Sequence, residues 1–222
     1  MSRTLNGESA AIASDVAAPV WGGSAIGAVN SGTHALTVSG LSAIGYSVTG
    51  SGQLTITPAS LILSAAGGTK VYDGTTTSAG SPSVSGLVAG DSVSGLSERY
   101  DSRDAGARTL SVASGYTVSD GNGGGNYVVT LRNAAGGITP ASLAVSGVTA
   151  SDRVYDGTTE ASVSGGTVNA LAGDQVTPVP SGVTAAFPTK HAGQANAASV
   201  SGYALTGADA GNYTLSGPAG LT

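Results

Sequence analysis

Apolar residues alternate with serine and threonine in short runs along this chain: Leu36-Thr37-Val38-Ser39, Tyr46-Ser47-Val48-Thr49, Leu54-Thr55-Ile56-Thr57, Leu110-Ser111-Val112, Tyr116-Thr117-Val118-Ser119 and Tyr213-Thr214-Leu215-Ser216. A period of two with β-branched residues predicts strands with one face buried and one wetted. Turn clusters separate the runs, among them Ala65-Ala66-Gly67-Gly68, Gly80-Ser81-Pro82 and Asp120-Gly121-Asn122-Gly123-Gly124-Gly125. There glycine and asparagine supply the positive φ that tight turns need. A short helical periodicity occurs only at residues 8–16, read as a leader or tail. In the middle of the chain strands are expected around 61–63, 70–72, 83–85, 93–94, 96–100, 109–113, 116–119 and 127–131. Strands so spaced, with turn signals between them, predict a two-sheet sandwich.

The pattern also repeats. Val71-Tyr72-Asp73-Gly74-Thr75-Thr76 returns as Val154-Tyr155-Asp156-Gly157-Thr158-Thr159, and Ile56-Thr57-Pro58-Ala59-Ser60-Leu61 as Ile138-Thr139-Pro140-Ala141-Ser142-Leu143. Gly90-Asp91, Ala105-Gly106, Gly115-Tyr116 and Gly125-Asn126-Tyr127 recur as Gly173-Asp174, Ala192-Gly193, Gly202-Tyr203 and Gly211-Asn212-Tyr213. The shift drifts by only a few residues over the unit, as small loop insertions in one fold produce. The expected organisation is a leader at 1–23, a shortened β module at 24–58, and two full modules of about 82 residues at 59–140 and 141–222. The fold class is therefore all-β, as tandem Ig-like β-sandwich modules. A parallel β-helix is the alternative, but its rungs repeat every ~20–30 residues.

Composition sharpens this picture. Glycine fills 36 of 222 positions and charged residues only 9%, too few for helices whose outer faces carry Glu and Lys. Leu, Ile, Val and Phe make up about a fifth of the chain, near the boundary for disorder, yet the net charge of −5 is small and the apolar residues are patterned. With 8 Lys plus Arg against 13 Asp plus Glu, no basic stripe faces phosphates, so nucleic acid is not an expected partner. No run of 18 apolar residues is present for a spanning helix, and no basic segment leads into an apolar one as in a signal peptide. Cysteine is absent, so stability rests on packing and backbone pairing.

The paired Tyr-Asp-Gly-Thr-Thr segments, the Gly-Asn-Tyr elements and the Ile-Thr-Pro-Ala-Ser-Leu junctions resemble the Tyr-Asp-Gly (YDG) and mostly-β Gly-rich repeat modules of large bacterial surface adhesins, including filamentous-haemagglutinin-like exoproteins. The resemblance covers residues 54–222 well and 24–53 loosely, and leaves out 1–23. It implies a secreted or surface-held stalk, exported by two-partner secretion or as an autotransporter passenger, in chains that carry many copies. It brings no catalytic residues. A chain without cysteine suits threading through an export pore. Expected partners are adjacent repeats and host-surface or matrix glycans or proteins, with the fragment itself a monomer and not inserted in a membrane. Some surface sandwiches carry Lys–Asn crosslinks, but the counterpart of Lys70 is Arg153, which cannot form one.

The recurrent residues are read as structural. In Tyr72-Asp73-Gly74 and Tyr155-Asp156-Gly157 a strand ends at Tyr, Asp bonds the backbone as an Asx-turn and Gly completes the turn, with both tyrosines buried. Asn126-Tyr127 and Asn212-Tyr213 are read as a turn feeding a strand whose aromatic ring plugs the core. Tyr100 to Asp104 aligns with Phe187 to His191 and is read as a core aromatic followed by a solvated loop. The spacing of Asp120, Asn122 and Asn126 resembles a calcium loop but offers a single carboxylate. His34 and His191 occupy non-equivalent positions away from any carboxylate pair, so no catalytic, cofactor or metal residues are assigned. The thermal midpoint should accordingly be the same with and without a chelator, and a large chelator-dependent fall would contradict this reading.

Overall fold

The computed structural model describes residues 18–43, 46–193 and 198–216, so the helical periodicity at 8–16 and Gly45 lie outside the described residues. The strands in chain order are β1 (Val20–Gly22), β2 (Gly32–Ala43), β3 (Tyr46–Ile56), β4 (Ala59–Ser64), β5 (Gly68–Val71), β6 (Ser83–Ser85), β7 (Ser92–Ser94), β8 (Glu98–Tyr100) and β9 (Gly106–Val112). They continue as β10 (Thr117–Ser119), β11 (Tyr127–Arg132), β12 (Ala134–Thr139), β13 (Ala141–Ala144), β14 (Ser146–Ala150), β15 (Val163–Thr167), β16 (Thr177–Ala186), β17 (Ser199–Thr206) and β18 (Tyr213–Ser216). The fold is all-β. Among the described residues the helical content is a single 3-10 turn, Ala210–Asn212, and no helix is long and apolar enough to cross a membrane.

The chain divides into two compact units, each assembled from several stretches. The first comprises Met1–Leu63, Val84–Gly95 and Gly115–Thr130. It contains the antiparallel sheet β1-β2-β3, in which Trp21 pairs with Val38 and thereby ties the end of the expected leader to the shortened module. It also holds the antiparallel pair β10-β7 and most of the sheet β11-β4-β6. Burial along β4 alternates as the sequence pattern requires, with Leu61 and Leu63 fully buried and their neighbours partly exposed.

The second unit comprises Ser64–Ser83, Leu96–Ser114 and Leu131–Thr222. Its four-stranded sheet has the order β5-β12-β9-β8, with β12 parallel to β5 and antiparallel to β9. The parallel pair β13-β18 and the antiparallel pairs β14-β15 and β16-β17 complete it. Its buried residues include Tyr72, Tyr100, Leu110, Val112, Ile138, Leu143 and Tyr213. One acid, Glu98, lies among them. Its Oε2 accepts the Ala66 N–H at 2.6 Å and its Oε1 the Ser78 hydroxyl at 2.8 Å, so the carboxylate is buried with partners.

All eight strands expected between residues 61 and 131 are present, with ends moved by a few residues. Within the module 59–140 the strand not anticipated is β12, in the middle of its sheet, because Ala134-Ala135-Gly136-Gly137 has neither bulk nor β-branching. The reason is steric. A Cβ on Gly136 would stand 2.9 Å from Tyr100 Cε1 and 3.0 Å from Leu110 Cδ1, so the neighbouring large side chains occupy the space above the strand. Gly136→Ala should therefore lower the unfolding free energy by about 1–3 kcal/mol through overpacking. Gly211→Ala, where a Cβ meets nothing within 4 Å, should stay within about 0.5 kcal/mol, as compared by denaturant melts.

Candidate functional site at the repeat junction

Each Tyr-Asp-Gly segment builds the same turn. Asp73 Oδ1 accepts the Thr75 N–H at 2.9 Å and the Thr75 hydroxyl at 2.8 Å, and Asp156 Oδ1 accepts both groups of Thr158 at 2.9 Å. These are Asx-turns. The glycine that follows is left-handed in both, with φ of 76° at Gly74 and 83° at Gly157, a region that side chains avoid. A cation closes each turn. Lys70 Nζ donates to Asp73 Oδ1 and to the Thr75 carbonyl, each at 2.7 Å. Arg153 Nη1 donates to Asp156 Oδ2 at 2.8 Å, and its Nη2 donates to the Thr158 carbonyl. The Lys70 hydrogen bond is the main reason that the Asp73 carboxyl is held down to about 2, while the Thr158 backbone N–H chiefly depresses Asp156. The contribution of Asp73 is thus full above its ordinary value near 4 and is lost as pH falls towards 2.

Beneath the turns the equivalence continues. Lys70 lies 5.4 Å from the centroid of Tyr100 and Arg153 5.7 Å from that of Phe187, so each cation also caps an aromatic ring. The backbone N–H of Tyr100 donates to the Thr76 carbonyl, and that of Phe187 to the Thr159 carbonyl. The substitutions Lys for Arg and Tyr for Phe preserve the arrangement.

A second recurring pair joins the Gly-Asp and Gly-Asn-Tyr elements. In the first unit the Tyr127 hydroxyl donates to Asp91 Oδ2 at 2.5 Å while accepting the Val88 N–H at 3.0 Å. In the second the Tyr213 hydroxyl donates to Asp174 Oδ2 at 2.7 Å and accepts the Leu171 N–H at 3.1 Å. Asp174 has two further donors, both from the preceding repeat. The Tyr72 hydroxyl reaches the same Oδ2 at 2.8 Å, and Arg103 Nη1 lies 3.1 Å from Oδ1. Arg103 Nη2 meanwhile donates to Asp209 Oδ1 at 2.7 Å, whose other oxygen accepts the Gln175 N–H. The Tyr72 and Tyr213 rings meet edge to face with centroids 5.3 Å apart.

The Asp174 side chain is 1% exposed. Burial pushes its carboxyl up, but the hydrogen bonds from Tyr213 and Tyr72 and the charge of Arg103 outweigh burial and hold it below the ordinary carboxylate value. The tyrosines move oppositely. Burial, then the bond to Asp174, pushes the Tyr72 and Tyr213 hydroxyls up, and for Tyr127 the bond to Asp91 is the leading cause.

The two asparagines clasp what precedes them. Asn126 Oδ1 accepts the Ser31 N–H at 2.7 Å and its Nδ2 donates to Asn30 Oδ1 at 3.1 Å. Asn212 Oδ1 accepts the Ala105 N–H at 2.8 Å and its Nδ2 lies 3.4 Å from Asp104 Oδ1. Asn126 and Asn212 are thus more than turn residues: each satisfies a backbone donor about a hundred positions earlier. The Asp120 carboxylate, at the calcium-like spacing, accepts the N–H groups of Asn122, Gly124 and Asn126 at 2.8–2.9 Å. Burial raises its pKa, and those three N–H groups more than offset the rise. Its oxygens are directed at backbone, and among the described residues no group of three or more His, Cys, Asp or Glu is placed to hold a metal.

Two expectations need correction. Tyr155 is not buried: 59% of it is exposed, against 4% of Tyr72, although the turns that carry them are alike. The loop after Tyr100 is not simply solvated, because Arg103 and Asp104 are engaged with Asp174, Asp209 and Asn212. The residues that sequence reasoning missed are Arg103, Asp174 and Asp209. A signal existed for one of them, since Gly-Asp recurs ahead of Gly-Asn-Tyr in both repeats, but nothing local marks Asp174 as a buried carboxylate. Beside the junction a cleft of about 480 Å³ is lined by residues including Ala105, Ala107, Ile138, Pro140 and Gly211, and none of its lining side chains titrates.

Tyr72→Ala should destabilise the protein by about 3–5 kcal/mol, the cost of emptying a core aromatic site. Tyr155→Ala, its sequence equivalent, should change stability by less than about 0.5 kcal/mol. Equal effects in denaturant melts would contradict the asymmetry of burial.

The YDG domain matches the chain twice, over residues 57–135 and 139–220. No curated protein and no solved structure matches it. The two matched segments span well over half of the chain, and each contains a complete set of the turn, the Gly-Asp element and the Gly-Asn-Tyr element just described. The chain belongs to the YDG domain family.

Proposed function

We propose that these repeats form the structural stalk of a secreted or surface-attached bacterial adhesin, without enzymatic activity, and hold a distal binding region away from the cell. In this reading the repeats are Ig-like sandwich modules in series, the protein works outside the cell, and its task is to transmit force without unfolding. The observation that carries the reading is the pairing of β13 with β18. These are the first and last described strands of the second repeat, and they run parallel in register from Ala141 opposite Tyr213 to Ala144 opposite Ser216. Chain tension enters at the start of β13 and leaves at the end of β18, so it pulls the two strands past each other. Hydrogen bonds loaded in this way must yield together, whereas an antiparallel hairpin pulled at its open end unzips one bond at a time. The first repeat likewise places its opening strand β4 beside its late strand β11. Sparse charge and Ser/Thr-covered strands support an exported chain, and without cysteine no disulfide can form that would block threading through an export pore.

The experiment is single-molecule extension of the chain held by its two ends. A sawtooth is expected, with contour steps of about 25–30 nm, the extended length of one repeat. Featureless extension at low force, together with specific glycan retention on an array, would overturn the stalk in favour of a glycan- or matrix-polysaccharide-binding module.

A further inference from the structure

Tyr155 stands on a turn that is built, capped and braced like that of Tyr72, yet its ring is in solvent. What buries Tyr72 is supplied by the following repeat: the Asp174 carboxylate on its hydroxyl and the Tyr213 ring on its edge. The other groups of that junction also recur in phase on the second repeat. Lys190 stands in the place of Arg103 and Ala192 in the place of Ala105, and both are exposed. The Asn clasp is used twice already, by Asn126 on Ser31 and by Asn212 on Ala105, so it is a general device of these repeats.

We propose that the face formed by Tyr155, Lys190 and Ala192 is a docking surface for a further YDG repeat. The occupant presents the counterparts of Asp174, Asn212 and Tyr213. Its carboxylate accepts the Tyr155 hydroxyl and pairs with the Lys190 ammonium, its asparagine accepts the Ala192 N–H, and its tyrosine covers the Tyr155 ring. Lys190 brings a single point charge where Arg103 spans two acids, so this junction engages one carboxylate firmly and not two. The proposal rests on the array reading but is tested apart from it, because extension of the chain as it stands probes the stalk without any added repeat.

The test extends the chain after Thr222 by a second copy of residues 137–222, which continues the phase of the internal repeat. Tyrosine nitration is then mapped residue by residue, with Tyr72 as the internal marker of a folded junction. In the 222-residue chain Tyr155 should react quickly and Tyr72 slowly. In the extended chain Tyr155 should slow by about tenfold or more, the protection that ~1.4 kcal/mol of docking gives. Asp174→Ala in the appended copy alone should restore the fast reaction. Asp174→Asn there serves the same purpose if the alanine variant loses the Tyr72 marker. Tyr155 reacting equally fast in both chains would overturn the proposal, as would protection that survives loss of the appended carboxylate. Concentration-dependent protection of Tyr155 in the 222-residue chain, accompanied by a dimer in sedimentation, would also overturn it by identifying a second copy as the occupant.

Discussion

The buried carboxylate of Asp174 is the constraint on which the second unit turns. An ionised group withdrawn from water costs several kcal/mol unless donors replace its hydration. Here three side chains do so: Tyr213 from its own repeat, and Tyr72 and Arg103 from the repeat before it. Because the donors come from both repeats, neither can leave without stranding a charge. The junction therefore has the character of an interior, with an aromatic pair, a satisfied ion and a backbone clasp, drawn from separate segments whose sequence reads as strand ends and loops.

That arrangement needs Tyr72 presented at a fixed height and angle, which explains the turn beneath it. The Asx-turn of Asp73, the left-handed Gly74 and the Lys70 cap together tie down the four residues around Tyr72. Lys70 also lies on the Tyr100 ring, and Tyr100 sits against the narrow strand β12. Packing at Gly136 and the aim of Tyr72 are thus parts of one chain of contacts. In the second repeat the same turn forms with Arg153 and Phe187, which shows that the turn does not depend on burial of the tyrosine. The turn is local, and the burial is supplied from elsewhere.

The Asn clasp and the Asp–Tyr pair divide the labour. Asp91 with Tyr127 and Asp174 with Tyr213 close a loop within a repeat, since each tyrosine hydroxyl also accepts an N–H from three residues before its aspartate. Asn126 and Asn212 reach out of the repeat to a backbone donor, a contact that tolerates any residue but proline at that place, as Ser31 and Ala105 illustrate. A junction written in backbone hydrogen bonds can recur along an array while the partner's side chains vary. The ionic part is more selective, because it needs the right cation: Arg103 serves two acids, and its counterpart is Lys190.

Much of this was legible in the chain. Period-two runs of β-branched residues and Ser/Thr placed the strands, because alternation of burial is a local property of a pleated backbone, and the Asx-turns followed from Asp-Gly-Thr because their bonds span two residues. The strand β12 was not legible: its small residues are required by Tyr100 and Leu110 on neighbouring strands, and taken alone they read as a turn. The burial of Tyr72 and exposure of Tyr155 could not be read either, since identical hexapeptides carry both. Only the tertiary structure decided that difference, because a ring is buried by whatever stands over it, and for Tyr72 that is an aspartate 102 residues further along.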